Sequence, residues 1–138
     1  MGSGVELLAL AAAALLTLSI ALAQIFVHIR RFGGAVIRGN RDAYPHLDGL
    51  AGRLARAHAN AVESLGPFAA VVLATKAFGI SNGWTMAGAL LYLGARVVHA
   101  ISYSAGITVL RSAAFYAGVV AVVMTALQLP WLSALGGN

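Results

Sequence analysis

The sequence contains no cysteine, so disulfide bonds, thiolate metal sites and a protein thiol nucleophile are excluded. Charged residues are also scarce: they make up 9% of the 138 residues, against about 25% in a typical soluble domain. The hydrophobic fraction is 60% and the mean hydropathy is +0.86. A globule of this size leaves too much of its chain exposed to hide that apolar surface. The composition argues against a soluble domain and against intrinsic disorder, and it predicts a membrane protein.

Four long apolar stretches are present, each close to the roughly 20 residues that a helix needs to cross about 30 Å of hydrocarbon. They cover residues 5–29, 57–78, 84–105 and 112–132. Backbone polar groups in lipid must be satisfied within their own segment, so each stretch is predicted to be a helix. The polar interval 30–53 is predicted to be a loop. We therefore expect a single all-α membrane domain over 1–138, a left-handed bundle of four transmembrane helices.

Glycine and proline residues within these stretches predict where a helix could kink and where two helices could pack closely. Gly66 and Pro67 interrupt the second stretch near its middle, where proline either kinks a membrane helix or is simply tolerated. Gly88 and Gly94 are predicted to mark close packing between helices.

The distribution of basic residues predicts an orientation. Six of the nine Lys and Arg residues lie between the first two stretches or at their ends: Arg30, Arg31, Arg38, Arg41, Arg53 and Arg56. The positive-inside rule places this region in the cytoplasm, with both termini outside and Trp84 and Trp131 at the outer interface. No basic residue precedes Arg30 and Glu6 is acidic, so the first stretch is expected to be a retained helix rather than a cleaved signal peptide. We expect a multi-pass protein, of the inner membrane if the source is bacterial.

Polar and ionisable residues interrupt the second and third stretches at helical spacings of three and four, which place them on one face of each helix. They are Arg56, Asn60 and Glu63 on the second stretch and Arg96, His99 and Tyr103 on the third. At a rise of about 1.5 Å per residue, Glu63 and Arg96 reach matching depths. Asn60 and His99 match in the same way.

These groups converge in the cytoplasmic half of the bundle, with Arg111 from the fourth stretch and Arg30 and Arg31 from the first. The other half is expected to be almost purely apolar apart from Lys76. A buried structural ion pair in the bundle and arginines that snorkel to the interface are the bland alternatives. The number of polar groups at one depth, and the surplus of guanidinium groups, favour a site for an anionic ligand.

Two motifs resemble the MAPEG family, the membrane-associated proteins in eicosanoid and glutathione metabolism. The first motif is Arg56-x-x-x-Asn60-x-x-Glu63 followed by Pro67-Phe68, which resembles the family signature R-x-x-x-N-x-x-E. The second comprises Arg96, His99, Tyr103, Ala105-Gly106-Ile107 and Leu110-Arg111, and it is similar to the bacterial branch of microsomal glutathione transferase-like proteins. Many members have tyrosine where this chain has His99.

The resemblance implies a homotrimer of four-helix subunits that holds glutathione between neighbouring subunits near the cytoplasmic surface, as co-substrate and without a metal. The resemblance points to Arg30, Arg56, Asn60, Glu63 and Tyr103 for glutathione binding. The polar face of the third stretch adds Arg96 and His99 to this predicted site. Arg111 matches the arginine that stabilises the glutathione thiolate, and Arg31 a second catalytic arginine.

We therefore expect a glutathione transferase or glutathione-dependent peroxidase that acts on lipophilic electrophiles. Its partners would be glutathione, a lipophilic second substrate, membrane lipids and further copies of the chain, and no nucleic acid despite the net charge of +5. The alternative is a non-catalytic lipid-binding or scaffold protein with the same fold. A small multidrug-type transporter fits less well, because that family carries its glutamate in the first helix whereas Glu63 lies in the second.

Overall fold

A computed structural model describes residues 4–40 and 46–131, and every regular element within them is helical. The elements are α1 (Val5–Phe32), α2 (Gly34–Arg38), α3 (Gly49–Ala77), α4 (Gly83–Ala105) and α5 (Thr108–Ala126). The predicted all-α class is confirmed for this part of the chain.

Three of the described helices, α1, α4 and α5, are long and apolar enough to cross a bilayer. Their outer surfaces carry large apolar side chains, among them Leu8, Ile101 and Val109, which are 70%, 64% and 81% exposed. Contiguous apolar surface of this kind needs lipid or a partner to cover it. Helix α3 is longer, with 29 residues, but it carries Glu63 and Lys76 and is less apolar. A fourth span is therefore not established by composition.

The helix boundaries differ from those predicted, because a helix does not end where its apolar run ends. Helix α1 continues through its two arginines to Phe32, and α3 begins at Gly49 rather than near 57. Arginine and alanine are good helix formers, and the backbone hydrogen bonds continue into the polar region. The predicted loop 30–53 is thus wrong over much of its length, although residues 41–45 lie outside the described residues.

Pro67 and Pro130 differ in their relation to the helices. Helix α3 continues through Pro67 without interruption, so this proline does not end the helix. Helix α5 ends at Ala126 rather than near 132, and a turn at Leu127–Leu129 leads to Pro130, which does not continue a helix. Residue 132 itself lies outside the described residues.

The four long helices alternate in direction. At one end, Lys76 of α3 and Thr85 of α4 both contact Glu6 at the start of α1. At the other end, Arg53 near the start of α3 contacts Ser104 near the end of α4. We call the first the glutamate end and the second the arginine end, since α1 also finishes there with Arg30 and Arg31.

The apolar core between the helices is built largely from small residues. Phe68 of α3 stacks on Tyr92 of α4 with ring centroids 3.7 Å apart, and alanines from α1, α4 and α5 surround them. Gly88 of α4 lies against α5, where an added Cβ would contact the Thr125 Oγ1 atom and lie 3.1 Å from the Ala121 carbonyl oxygen. Small residues of this kind let two membrane helices approach closely. The predicted packing role is confirmed at Gly88.

The glutamate end is not apolar, contrary to expectation. Glu6 is fully buried there and accepts hydrogen bonds from Thr85 Oγ1 at 2.6 Å, Ser81 Oγ at 2.8 Å and Lys76 Nζ at 3.0 Å. A buried carboxylate is tolerated when it is paired and hydrogen-bonded in this way. The sequence reasoning used Glu6 only as evidence against a signal peptide and missed that α1, α3 and α4 meet around it.

Replacing Gly88 by alanine is expected to destabilise the protein by about 1–3 kcal/mol, because the added methyl group overpacks the contact between α4 and α5. Gly94→Ala is the matched control on the same helix, since a Cβ there meets no atom within 4 Å. Unfolding of the two variants in mixed micelles would be compared with that of the wild-type protein. Equal stability of the two variants would contradict close packing at Gly88.

Candidate functional site

The predicted polar faces of α3 and α4 do face each other, and α5 completes the arrangement. Arg96 of α4 donates from Nη1 to Asn60 Oδ1 of α3 at 3.0 Å and to Ser64 Oγ at 3.2 Å. Its Nη2 donates to the Ala114 carbonyl of α5 at 3.3 Å and to that of Phe115 at 3.5 Å. One side chain therefore joins three helices.

The buried ion pair between Glu63 and Arg96, an alternative that their matching depths left open, does not form. Glu63 is exposed and forms no ion pair with Arg96, whose hydrogen-bond partners on α3 are Asn60 and Ser64. Matching depth compares positions along the helix axis, whereas contact also depends on the rotation of each helix about that axis.

Arg96 is a buried cation whose hydrogen bonds go only to neutral oxygens. The residue is 5% exposed, and within the described part of the chain no carboxylate lies in ion-pair distance of it. Its Nε atom is buried without a hydrogen-bond partner among the described residues. Charge in a membrane-spanning segment is costly unless it is compensated, and such residues mark functional sites by default. The arrangement is suited to receive an anionic or strongly accepting group.

A cavity of about 340 Å³ adjoins Arg96, within the size range of small-molecule sites. Its polar wall is formed by residues of α3 and α4: Asn60, Glu63, Ser64, Tyr92 and Arg96. Its apolar wall is formed by Pro67 of α3 and by five residues of α5: Phe115, Gly118, Val119, Val122 and Val123. We call this the apolar cavity. It offers an apolar group a place beside a few polar ones.

A second cavity of about 220 Å³ lies toward the arginine end and shares Asn60 and Phe115 with the first. We call it the polar cavity. Arg111 of α5 lies over the Tyr103 ring, with its Cζ atom 4.7 Å from the ring centroid. His99 packs edge-on against the same ring at 5.4 Å. The polar cavity thus presents a guanidinium, an imidazole and a phenol within one small volume.

Six predicted site residues line these two cavities: Asn60, Glu63, Arg96, His99, Tyr103 and Arg111. They come from three helices and are far apart in the chain, so the fold brings them together. Their proposed roles toward a ligand stay predictions.

Three predicted arginines do not line either cavity. Arg30 is exposed and lies over the ring of Phe26 on its own helix. Arg56 is exposed, and its Nη1 atom folds back along α3, 3.2 Å from where a Cβ on Gly52 would lie. Neither arginine lines the apolar cavity or the polar cavity, both of which include Asn60.

Arg31 is engaged at the start of α3. It forms an ion pair with the Asp48 carboxylate and donates from Nη1 to the Asp48 carbonyl at 3.0 Å. The guanidinium of Arg31 holds the pKa of the Asp48 carboxyl below its usual range, mainly through their hydrogen bond. Because Asp48 is the N-cap residue of α3, this contact ties the end of α1 to the start of α3.

The sequence reasoning missed several residues of the site. Ser64 accepts hydrogen bonds from Arg96 and from Tyr92 OH at 3.1 Å, and Tyr92 lies under the guanidinium of Arg96. Helical spacing was available as a signal, since Ser64 follows Asn60 by four positions and Tyr92 precedes Arg96 by four. Gly118 carried no such signal, because its role depends on which side of α5 meets α4.

Comparison with known proteins gives a family. A family model described as the MAPEG family matches residues 7–131, which include α3, α4 and α5, all of α1 beyond Glu6, and every residue that lines the two cavities. No curated protein matches the chain.

Gly118→Ala is expected to displace the guanidinium of Arg96, because a Cβ at Gly118 would lie 2.5 Å from Nη2 and 3.1 Å from Cζ. The cost should be about 1–3 kcal/mol in the wild-type background. In an Arg96→Met background the same change should cost less than half as much, since no guanidinium occupies the space. Unfolding free energies of the four proteins form a double-mutant cycle, and additive values would contradict the contact.

Proposed function

The chain belongs to the MAPEG family, and from that premise we propose that it is a membrane-embedded glutathione transferase or glutathione-dependent peroxidase. It activates the glutathione thiol for attack on lipophilic electrophiles. The observation that carries this proposal is the juxtaposition of Arg111 and Tyr103 in the polar cavity, next to a larger apolar cavity that shares Asn60 with it.

The chemistry of glutathione fits the groups on this side of the bundle. Glutathione has two carboxylates, an amine and a thiol, so its site needs several cations and at least one anion. Arginines match carboxylates through paired hydrogen bonds. Glu63 supplies the anion for the amine, and Asn60, Arg96, His99 and Tyr103 supply further polar contacts. Arg30 and Arg56 are exposed in one chain and are available to a ligand held between two subunits.

Arg111 is the residue we assign to activation of the thiol. A cation beside the sulfur favours the thiolate over the thiol, and the thiolate is the nucleophile. In the transferase reaction the sulfur forms a bond to the electrophilic carbon, the leaving group departs with its electron pair, and the thiol proton passes to water. Since Arg31 is engaged with Asp48, we assign the catalytic role to Arg111 alone.

The apolar cavity is the place we propose for the second substrate. Its valines and Phe115 lie on α5, whose outer surface is apolar and faces lipid. An electrophile dissolved in the bilayer therefore reaches the cavity from the side, without crossing water. Holding the two reactants next to each other supplies part of the rate.

We propose further that α3 is the fourth span and that three copies assemble around it. At a rise of about 1.5 Å per residue, its 29 residues are long enough to cross the hydrocarbon. Glu63 is exposed on one chain, and an exposed carboxylate in lipid is costly unless a neighbouring subunit or ligand covers it. The arginine end then lies in the cytoplasm by the positive-inside rule, in the inner membrane of a bacterial source.

Glutathione should bind saturably to the detergent-solubilised protein in isothermal titration calorimetry. Glu63→Gln keeps the shape of the side chain but removes its charge, and it should weaken binding about tenfold through loss of a charge-assisted hydrogen bond. Arg38→Gln is the control, because Arg38 lies on α2 and lines neither cavity. A wild-type protein that binds lipid but has no affinity for glutathione would contradict the proposed enzyme and support a non-catalytic scaffold.

Arg111→Ala should retain much of the glutathione binding but lose the ultraviolet absorbance of the bound thiolate. The expected fall in conjugation rate with an aryl halide is about tenfold or more, since one pKa unit of lost thiolate preference is a factor of ten in the ionised fraction. Arg38→Ala serves as the matched arginine control. Conjugation by Arg111→Ala at the wild-type rate would show that the role assigned to Arg111 is wrong.

A further inference from the structure

Arg53 is a half-buried arginine whose polar contact lies outside both cavities. It lies in the second turn of α3, at the arginine end, and lines neither of the two cavities. From the sequence alone, Arg53 is only one of the basic residues whose distribution predicts the orientation. In the structure its Nε atom donates to the Ser104 carbonyl at 2.9 Å, across the gap from α3 to the end of α4.

The carbonyl that Arg53 binds is one that the helix itself leaves unsatisfied. Helix α4 ends in a Schellman-type turn, in which the Ile107 amide donates to the Ser102 carbonyl at 2.8 Å and the Gly106 amide to the Tyr103 carbonyl at 3.1 Å. This turn satisfies two of the last carbonyls but not that of Ser104. Arg53 supplies the missing donor and also places a cation at the helix C-terminus, where it is favourable.

Arg53 also covers the residue that makes the turn possible. Gly106 has a φ of 80°, in the left-handed region that favours glycine. A Cβ on Gly106 would lie 3.7 Å from Cδ of Arg53 and 3.8 Å from its Nε atom. The stem and the guanidinium of Arg53 therefore pack on the turn as well as bond to it.

The turn under Arg53 sets the relative position of the two groups proposed for thiolate chemistry. Tyr103 lies just before the turn on α4, and Arg111 lies in the first turn of α5, with its amide bonded to the Ile107 carbonyl at 3.1 Å. Only two residues, Gly106 and Ile107, separate the helices. The 4.7 Å approach of the Arg111 guanidinium to the Tyr103 ring therefore depends on the conformation of this short turn.

We propose that Arg53 is a positioning residue, which holds the turn between α4 and α5 through its bond to the Ser104 carbonyl and so places Arg111 over Tyr103. This inference rests on the proposed function, because it assigns Arg53 to the geometry of the same site. Arg53 lies near the start of α3, lines neither cavity and is assigned no contact with the thiolate.

Two variants separate the hydrogen bond of Arg53 from its bulk and its charge. Arg53→Met keeps an unbranched stem but has no donor. Arg53→Gln has an amide nitrogen at the same position along the side chain as Nε, so it can donate to the Ser104 carbonyl without a charge. Arg38→Met is the control for loss of an arginine at the same end of the protein.

In glutathione conjugation, Arg53→Met should lower kcat by about five- to tenfold, with KM for glutathione within about twofold of the wild-type value. Arg53→Gln should restore most of kcat, and Arg38→Met should leave both parameters unchanged. The assays are run well below the melting temperature of each variant, so that a merely structural loss of stability would not change kcat. Wild-type kcat in Arg53→Met would overturn the proposal, and so would equal loss in Arg53→Met and Arg53→Gln.

Amide hydrogen exchange over residues 104–111 tests the positioning role without using activity. We expect faster exchange there in Arg53→Met than in the wild-type protein and in Arg53→Gln, and no change near Ser81 at the glutamate end. If the wild-type protein neither binds nor consumes glutathione, the proposed function fails, while the exchange measurement still decides whether Arg53 holds the turn. Unchanged exchange in Arg53→Met would overturn the inference by itself.

Discussion

A single buried guanidinium holds the site-bearing helices together. Arg96 donates to Asn60 and Ser64 of α3 and to two main-chain carbonyls of α5, and it can approach α5 so closely because residue 118 is glycine. All of its partners are neutral, so the helices are joined without the charge being cancelled. A cation kept in this state inside a helical bundle organises the structure while its charge remains without a counter-ion among the described residues.

The two ends of the bundle differ in how far their charges are compensated within the chain. At the glutamate end, Glu6 is surrounded by three donors, one of them the cation of Lys76, and the charges are balanced within the chain. Toward the arginine end, cations outnumber carboxylates and two adjoining cavities remain. The first arrangement favours one closed packing of the helices, whereas the second leaves room and charge for a molecule from outside.

Helical periodicity was a sound guide to which residues share a face, and a poor guide to which residues touch. The helical spacing predicted one polar face on α3, with Arg56, Asn60 and Glu63, and one on α4, with Arg96, His99 and Tyr103. All of these residues except Arg56 line the two cavities. Glu63 and Arg96 lie at matching depths but do not pair, because axial depth does not contain the rotation of a helix about its own axis. The predicted boundaries of α1 and α3 were also wrong. An apolar run indicates the part of a helix suited to lipid, whereas the hydrogen-bonded helix extends beyond it into polar sequence.

The sequence by itself determined the helical class, the membrane-compatible surface and the faces that carry polar groups, since each depends on composition or on local spacing. Its two motifs also carried the resemblance to the family. Only the tertiary structure decided that Glu6 is enclosed by α3 and α4, that Arg96 reaches α5 at Gly118, and that Arg53 holds the turn before Arg111. These contacts join residues far apart in the chain. Their existence depends on how closely and at what rotation the helices pack, which no local pattern of residues specifies.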